Sequence, residues 1–205
     1  MAEPRRGLLV DFGGVLTTDL FASFSAFCVA EGIAPDAVRD RFRSDVDARE
    51  LLIALEEGRM DEDEFEPRLA ALFEVREADG LIERLMAGAE PDVEMIDAVR
   101  AARAAGVRTG LVSNSWGTRR YDRDLLGELF DGVVISGEVG MRKPAPEIYA
   151  LGAERIGLEP TACVFVDDLR ENITGAEAVG MTGVLHRDAG ETLPRLEELF
   201  GVALA

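Results

Sequence analysis

The chain has 205 residues, 47% hydrophobic and 30% charged, which describes one globular domain, or one domain with a large insertion, and a sizeable core. Its 22 basic residues face 40 acidic ones, a net charge of −18, so no basic stripe is available for a nucleic-acid backbone and an anionic ligand needs a local cation. No stretch approaches the roughly 18 unbroken apolar residues of a membrane span, and the N-terminal MAEPRRGLLVDFGG lacks the apolar core of a leader.

Leu8, Leu9 and Val10 form a short apolar run that fits a strand buried on both faces of a parallel sheet. It stops at Asp11, and Gly13 and Gly14 supply a permissive turn. From residue 18 to 90 the apolar spacing is helical. Leu20, Phe21, Phe24, Phe27 and Cys28 run to a stop at Gly32, and Pro35 suits the first turn of a helix carrying Val38 and Phe42. Leu51, Leu52 and Leu55 lead to Gly58. Asp61 with Glu64 makes a capping-box-like start for a face of Phe65, Leu69, Leu72 and Phe73, and Leu81 and Leu85 close the series before Pro91. These stripes predict the core of a small helical bundle inserted after the first strand.

From Pro91 the chain alternates helix and strand. Val93, Ile96 and Val99 define a helix ending at Gly106, and Val107 to Val112 reads as a strand. A helix through Leu125, Leu126, Leu129 and Phe130 precedes a strand from Val133 to Ile135. Pro146 starts a helix carrying Ile148, Tyr149 and Ile156, followed by a strand over Cys163 to Val166 and a helix from Arg170 to Val179. Val184-Leu185 is a last short strand, and Leu193 to Phe200 a last helix. The alternation predicts an α/β fold: a three-layer, doubly wound parallel sheet with right-handed crossovers. Cys28 and Cys163 each lie inside an apolar run, which predicts buried free thiols and, with the absent leader, a cytoplasmic location.

Four of these strands are followed by polar punctuation: Asp11, Ser113-Asn114, Arg142-Lys143-Pro144 and Asp167-Asp168. Strand ends of a parallel sheet lie side by side, where open α/β sheets bind ligands. Each piece alone is an ordinary turn or cap. Together they make a phosphoryl-transfer site. Asp11 can attack phosphorus as a carboxylate and form an aspartyl-phosphate. Three carboxylates beside a phosphate dianion repel one another unless a divalent cation and an ammonium intervene. Mg2+ suits the oxygen-only donor set, Lys143 supplies the ammonium, and Ser113 can donate to the phosphoryl oxygens.

These blocks resemble the four motifs of the haloacid dehalogenase superfamily: DFGGV at 11–15, SN at 113–114, GMRKPAPEIY at 140–149 and VFVDDLRENITGA at 164–176. Among subgroups, the D-x-G-x-V start, GMRKP and the DD pair look most like the α-D-glucose-1-phosphatase-like phosphatases. The resemblance implies a Rossmann-like core from 1–17 and 91–205, with a helical cap over 18–90. It also implies Mg2+-dependent hydrolysis of a small phosphate monoester, such as a hexose 1-phosphate, by a monomer or homodimer. Asp11 would be nucleophile and metal ligand, Gly13 a ligand through its carbonyl, Asp168 a direct ligand and Asp167 one acting through water. Ser113, Asn114 and Lys143 would hold the transferring group. The implied partner is a small phosphorylated metabolite, with no nucleic acid and no membrane.

One departure stands out. Most phosphatases of the superfamily carry a general acid two residues after the nucleophile, and here that position is Gly13. Such help is typically worth about 10²–10⁴-fold. Either the leaving group is good, or another residue substitutes, or the site is slow or serves only to bind a phospho-ligand or protein. A halide-releasing dehalogenase has no use for the Asp167-Asp168 pair, and a phosphomutase needs the absent acid. Receiver domains place their acidic pair before the phosphoacceptor and carry no such insert. Trp116 is read as substrate contact or as packing, and His186, the lone histidine, as a satisfied imidazole ahead of a catalytic base.

Overall fold

Leu8 and Val10 pack on one side of the first strand and Leu9 on the other, and this two-residue alternation organises the sheet. The computed structural model describes residues 5–204; the first four, part of the stretch read for a leader, and Ala205, the end of the expected core segment, lie outside the described residues. Strand β1 (Gly7–Val10) is central in a five-stranded parallel sheet of order β3-β2-β1-β4-β5, with β2 (Arg108–Ser113), β3 (Gly132–Ile135), β4 (Cys163–Asp167) and β5 (Thr182–Leu185). Register is tight: Val10 is level with Leu111 on one side and Val166 on the other. The ends of β1, β2 and β4 therefore open side by side.

Between β1 and β2 run α1 (Leu20–Ala30), α2 (Ala37–Ser44), α3 (Val46–Glu56), α4 (Glu62–Phe73), α5 (Leu81–Met86) and α6 (Val93–Ala104). After β2 come α7 (Arg123–Leu129), the one-turn α8 (Ser136–Val139) after β3, α9 (Pro146–Arg155), α10 (Arg170–Ala178) and the C-terminal α11 (Ala189–Phe200). Helices α6, α7 and α11 cover the Leu8 face through Val99, Leu126 and Leu196, and α9 and α10 cover the Leu9 face through Ile148 and Ile173. This is the expected three-layer α/β architecture.

Helices α1–α5 bury a core of their own, in which Phe27, Leu55, Phe65, Leu69 and Leu81 meet. The two chain segments joining it to the sheet lie together. Thr17 bridges Pro91, the Thr18 N–H donates to Glu90 O at 2.8 Å, and the Asp92 N–H donates to Leu16 O at 2.9 Å.

Asp61 caps α4 as its spacing predicts, accepting from the Glu64 N–H at 2.9 Å. Three details differ from the sequence reading. Pro35 lies outside α2, which starts at Ala37 after Asp36. Val93, at the first position of α6, is 63% exposed, and the buried face runs through Met95, Ile96, Val99 and Ala102. Residues 136–139 form a turn of helix too short for any periodicity to register. Both cysteines are buried free thiols. Among the described residues no helix is long and apolar enough to cross a membrane.

Candidate active site

Asp11 continues the line of β1, its N–H donating to Val166 O of β4 at 2.9 Å. The chain then turns sharply. Gly14 has φ 72°, and a Cβ there would lie 2.6 Å from Asp168 Oδ2, so only glycine lets the two strand ends approach so closely. The Asp11 carboxylate is buried, and its Oδ1 accepts from the Phe12 N–H at 2.7 Å and from Lys143 Nζ at 2.8 Å.

Lys143 is fully buried, and its ammonium also donates to Asp167 Oδ2 at 2.7 Å. Buried lysine on this scale is found only when paired. The loop that delivers it is pinned by Asn114, whose Oδ1 accepts from the Lys143 N–H at 2.8 Å while its Nδ2 donates to Lys143 O at 3.1 Å. Asn114, expected among the groups holding the phosphoryl, thus ties its carboxamide to the lysine's main chain. Its side chain fixes the main chain of Lys143, and one Nδ2 hydrogen stays free to donate beside Lys143 and Ser113.

Asp167 is also fully enclosed. Besides Lys143 it accepts from the Leu169 N–H at 2.9 Å and from Asn172 Nδ2 at 3.0 and 3.1 Å. Asp168, next in the chain, is half-buried. Carboxylate oxygens of Asp11, Asp167 and Asp168 all lie within 4.8 Å of one another.

The electrostatics follow from this crowding. Burial raises the Asp11 pKa above its ordinary value; Lys143 pulls it back, and Asp167 and Asp168 push it further up. Asp168 is raised to about 6, by burial first and then by Asp167. For Lys143, burial disfavours the ammonium, but Asp11 and Asp167 outweigh it and the pKa goes up. Three carboxylates against one ammonium leave an excess of negative charge. An oxygen-only cluster of that charge fits a hard divalent cation.

The structure also places residues that sequence reasoning missed. A Cβ on Gly13 would lie 2.5 Å from Leu20 Cδ1, so the first residue of α1 occupies the space a side chain at 13 would need. Ser113 Oγ lies 2.9 Å from the hydroxyl of Tyr121. Glu56, buried at the end of α3, pairs with Arg142 beside the lysine, and burial raises its pKa. Glu62 Oε1 accepts from the Thr118 and Arg119 N–H groups at 3.1 and 3.3 Å. Tyr121, Glu56 and Glu62 sit in no periodic or motif-like pattern, and the spacing of Leu20 marks it only as helical.

Trp116 packs into the insert, its ring 5.1 Å from Phe24, 5.6 Å from Phe42 and 6.1 Å from Phe65 between centroids. It joins the loop after β2 to the helical bundle. His186 is buried with Nδ1 2.9 Å from Thr192 Oγ1, a satisfied imidazole.

The arrangement offers a buried carboxylate, an ammonium fixed beside it and a cluster of oxygens that could hold a cation. Comparison with known proteins identifies the family. A family model described as haloacid dehalogenase-like hydrolase matches residues 6–180. The chain is similar to bifunctional epoxide hydrolase 2 of Rattus norvegicus, 31% identical over 128 residues, covering 59% of this chain and 23% of that protein. It is also similar to the sesquiterpene phosphatase astK of Aspergillus oryzae, 33% identical over 118 residues, covering 54% of this chain and 58% of the other. The chain spans less than two thirds of the length of either relative. A HAD family enzyme of Bacteroides thetaiotaomicron, solved with magnesium and inorganic phosphate, superposes with a TM-score of 0.70 at 21% identity, covering 94% of this chain and 98% of that one.

Proposed function

Because the chain belongs to the haloacid dehalogenase-like hydrolases, we propose that it is a phosphatase of small phosphate monoesters, acting through an aspartyl-phosphate on Asp11. One observation carries the reading: Lys143 Nζ is held 2.8 Å from Asp11 and 2.7 Å from Asp167 inside a cluster of three carboxylates. That geometry suits transfer of a dianionic group to a carboxylate.

In this reading Asp11 attacks phosphorus, the P–O bond to the alcohol breaks as the O–P bond to Asp11 forms, and water later cleaves the acyl phosphate. Lys143 and Ser113 hold the phosphoryl oxygens as charge redistributes over them. Asp167 holds the lysine and Asn114 holds its backbone. Asp11, Asp168 and the Gly13 carbonyl would hold Mg2+, with Asp167 behind them. When bound, the ion neutralises part of the charge that separates nucleophile from substrate. A Bacteroides relative of the same fold takes up magnesium and phosphate together, which supports the assignment.

We further read residues 18–90 as a cap over a core of 1–17 and 91–205, excluding water and selecting the leaving group. Leu20 blocks the place of the usual acid, so the favoured substrates carry leaving oxygens that depart without a carboxylic acid at 13. A sugar 1-phosphate, with its acidic anomeric hydroxyl, meets that condition, and an aryl phosphate is its laboratory counterpart. The test is phosphate release from p-nitrophenyl phosphate. Turnover with Mg2+, abolished by EDTA and by Asp11→Asn, is expected, with the Asn variant down more than about 10³-fold. A hexose 1-phosphate should outpace the 6-phosphate. The acid-free Gly13 also favours a second reading, a phospho-ligand-binding module, and an inert wild type that binds phosphate would establish it.

A further inference from the structure

Ser113 is the member of the proposed phosphoryl-holding set whose proton is free to swing, because a serine O–H rotates about its Cβ–Oγ bond. Beside it stands Tyr121, in the loop between β2 and α7, with its hydroxyl 2.9 Å from Ser113 Oγ. Its ring is not loose. It meets Phe12, the neighbour of the nucleophile, edge-on with centroids 5.2 Å apart, and the Arg123 guanidinium lies 5.8 Å from its centre. The chain just beyond is anchored by Asp122, which caps α7 by accepting from the Asp124 and Leu125 N–H groups at 3.0 and 3.1 Å.

Two hydroxyls at this distance share one hydrogen bond, and its direction decides what Ser113 can do. A phenol is a stronger acid than an alkyl alcohol, so Tyr121 is the better donor and Ser113 the better acceptor. With its lone pair occupied by Tyr121, the serine keeps its own proton for a third partner. With the direction reversed, that proton would be spent on the ring oxygen and lost to a substrate.

We infer that Tyr121 is a positioning residue for phosphoryl transfer: its hydroxyl donates to Ser113 Oγ and so presents the serine proton to the phosphoryl oxygens. The inference rests on the phosphatase reading and adds a residue to it. Tyr121 does not replace the acid absent at Gly13. Burial pushes its pKa up, the hydrogen bond with Ser113 pulls against it, and the charge of Asp11 adds to the rise; a tyrosinate there would be one more anion in an overcrowded site.

The experiment compares wild type, Tyr121→Phe, Ser113→Ala and the double variant in Mg2+ with p-nitrophenyl phosphate, reading kcat and KM, the inhibition constant of inorganic phosphate, and the thermal midpoint. Phenylalanine keeps the ring on Phe12 and deletes only the hydroxyl. Expected is an unchanged midpoint, a fall of about 5–10-fold in kcat/KM with weaker phosphate inhibition, and no further loss when the change is made on Ser113→Ala. Equal losses on both backgrounds, or a Tyr121→Phe protein within twofold of wild type, overturn the inference. Should Tyr121→Phe melt early, 3-fluorotyrosine in a Tyr149→Phe chain reports on Tyr121 alone. Its fluorine resonance should move on adding inorganic phosphate with Mg2+, but not in Ser113→Ala, and a resonance unmoved in a chain that turns over substrate overturns the inference. A wild type without turnover removes the phosphatase reading and this one together, whereas turnover with an unaltered Tyr121→Phe removes this one alone.

Discussion

The sheet and the helical insert hold their charged groups in different ways. At the strand ends Lys143 and Asp167 are fully enclosed, and besides each other their side-chain partners come from the residues that follow β1 and β4, while Asn114 after β2 holds the Lys143 main chain. The insert reaches the same neighbourhood by a few cross-ties: the exposed pair of Arg119 with Asp63, the buried Glu62 carboxylate on two backbone N–H groups, and the buried Glu56 on Arg142. The first kind of site keeps its geometry as long as the sheet is folded. The second joins a bundle with its own core to the sheet through a handful of contacts. Under the proposed function the contrast matches chemistry in the enclosed half and leaving-group choice in the half attached by fewer contacts.

Lys143→Met tests the enclosed half, and its effect should be the largest. It strands buried carboxylates without their ammonium, so a loss of about 3–5 kcal/mol in denaturant unfolding is expected, together with loss of turnover. A stable, active Met variant would mean that the ion cluster is not what holds the strand ends together. Glu62→Ala tests the other half. Removing two charge-assisted hydrogen bonds should cost about 1–2 kcal/mol. The fluorescence of Trp116, the single tryptophan, reports whether the insert has loosened, and KM should rise more than kcat falls. Equal damage to both constants would place Glu62 in the enclosed half instead.

The smallest effect concerns pH and lies at the edge of the enclosed half, where the His186 N–H donates to Asp167 O at 2.9 Å. Burial lowers the His186 pKa below the ordinary imidazole value of 6.5, against the pull of Asp92 and Asp188. The folded protein therefore binds this proton less readily than the unfolded chain, and stability falls as pH drops through 6.5. His186→Gln should flatten that limb of the denaturant midpoint between about pH 7 and 5. The carboxyls of Asp11 and Asp168, raised by the fold, act in the opposite sense in both proteins and cancel in the difference.

Much of this was legible in the sequence because it rests on local pattern. The unbroken run Leu8-Leu9-Val10 reads as a doubly covered strand, and four polar stops after four strands read as one site because parallel strand ends converge. Asp61 with Glu64 announces a helix start by side-chain chemistry alone. What stayed hidden depends on contacts between distant segments. Nothing at position 20 announces that Leu20 fills the space beside Gly13, since its spacing only makes it helical. Tyr121 lies in an aperiodic loop, and its partner is eight residues away. For Asn114, motif position says nothing about where a carboxamide turns; a second loop, carrying Lys143, meets both its ends.

The bridge between Thr17 and Pro91 has a consequence for how such proteins diversify. Two chain ends that already lie against each other can accept any cassette between them without straining the sheet below. An ancestral gene could exchange one bundle for another, or trim it to a hairpin, and keep β1 and β2 in register. Selection would then rewrite only what sits above the nucleophile, beginning with the residue that Leu20 now occupies.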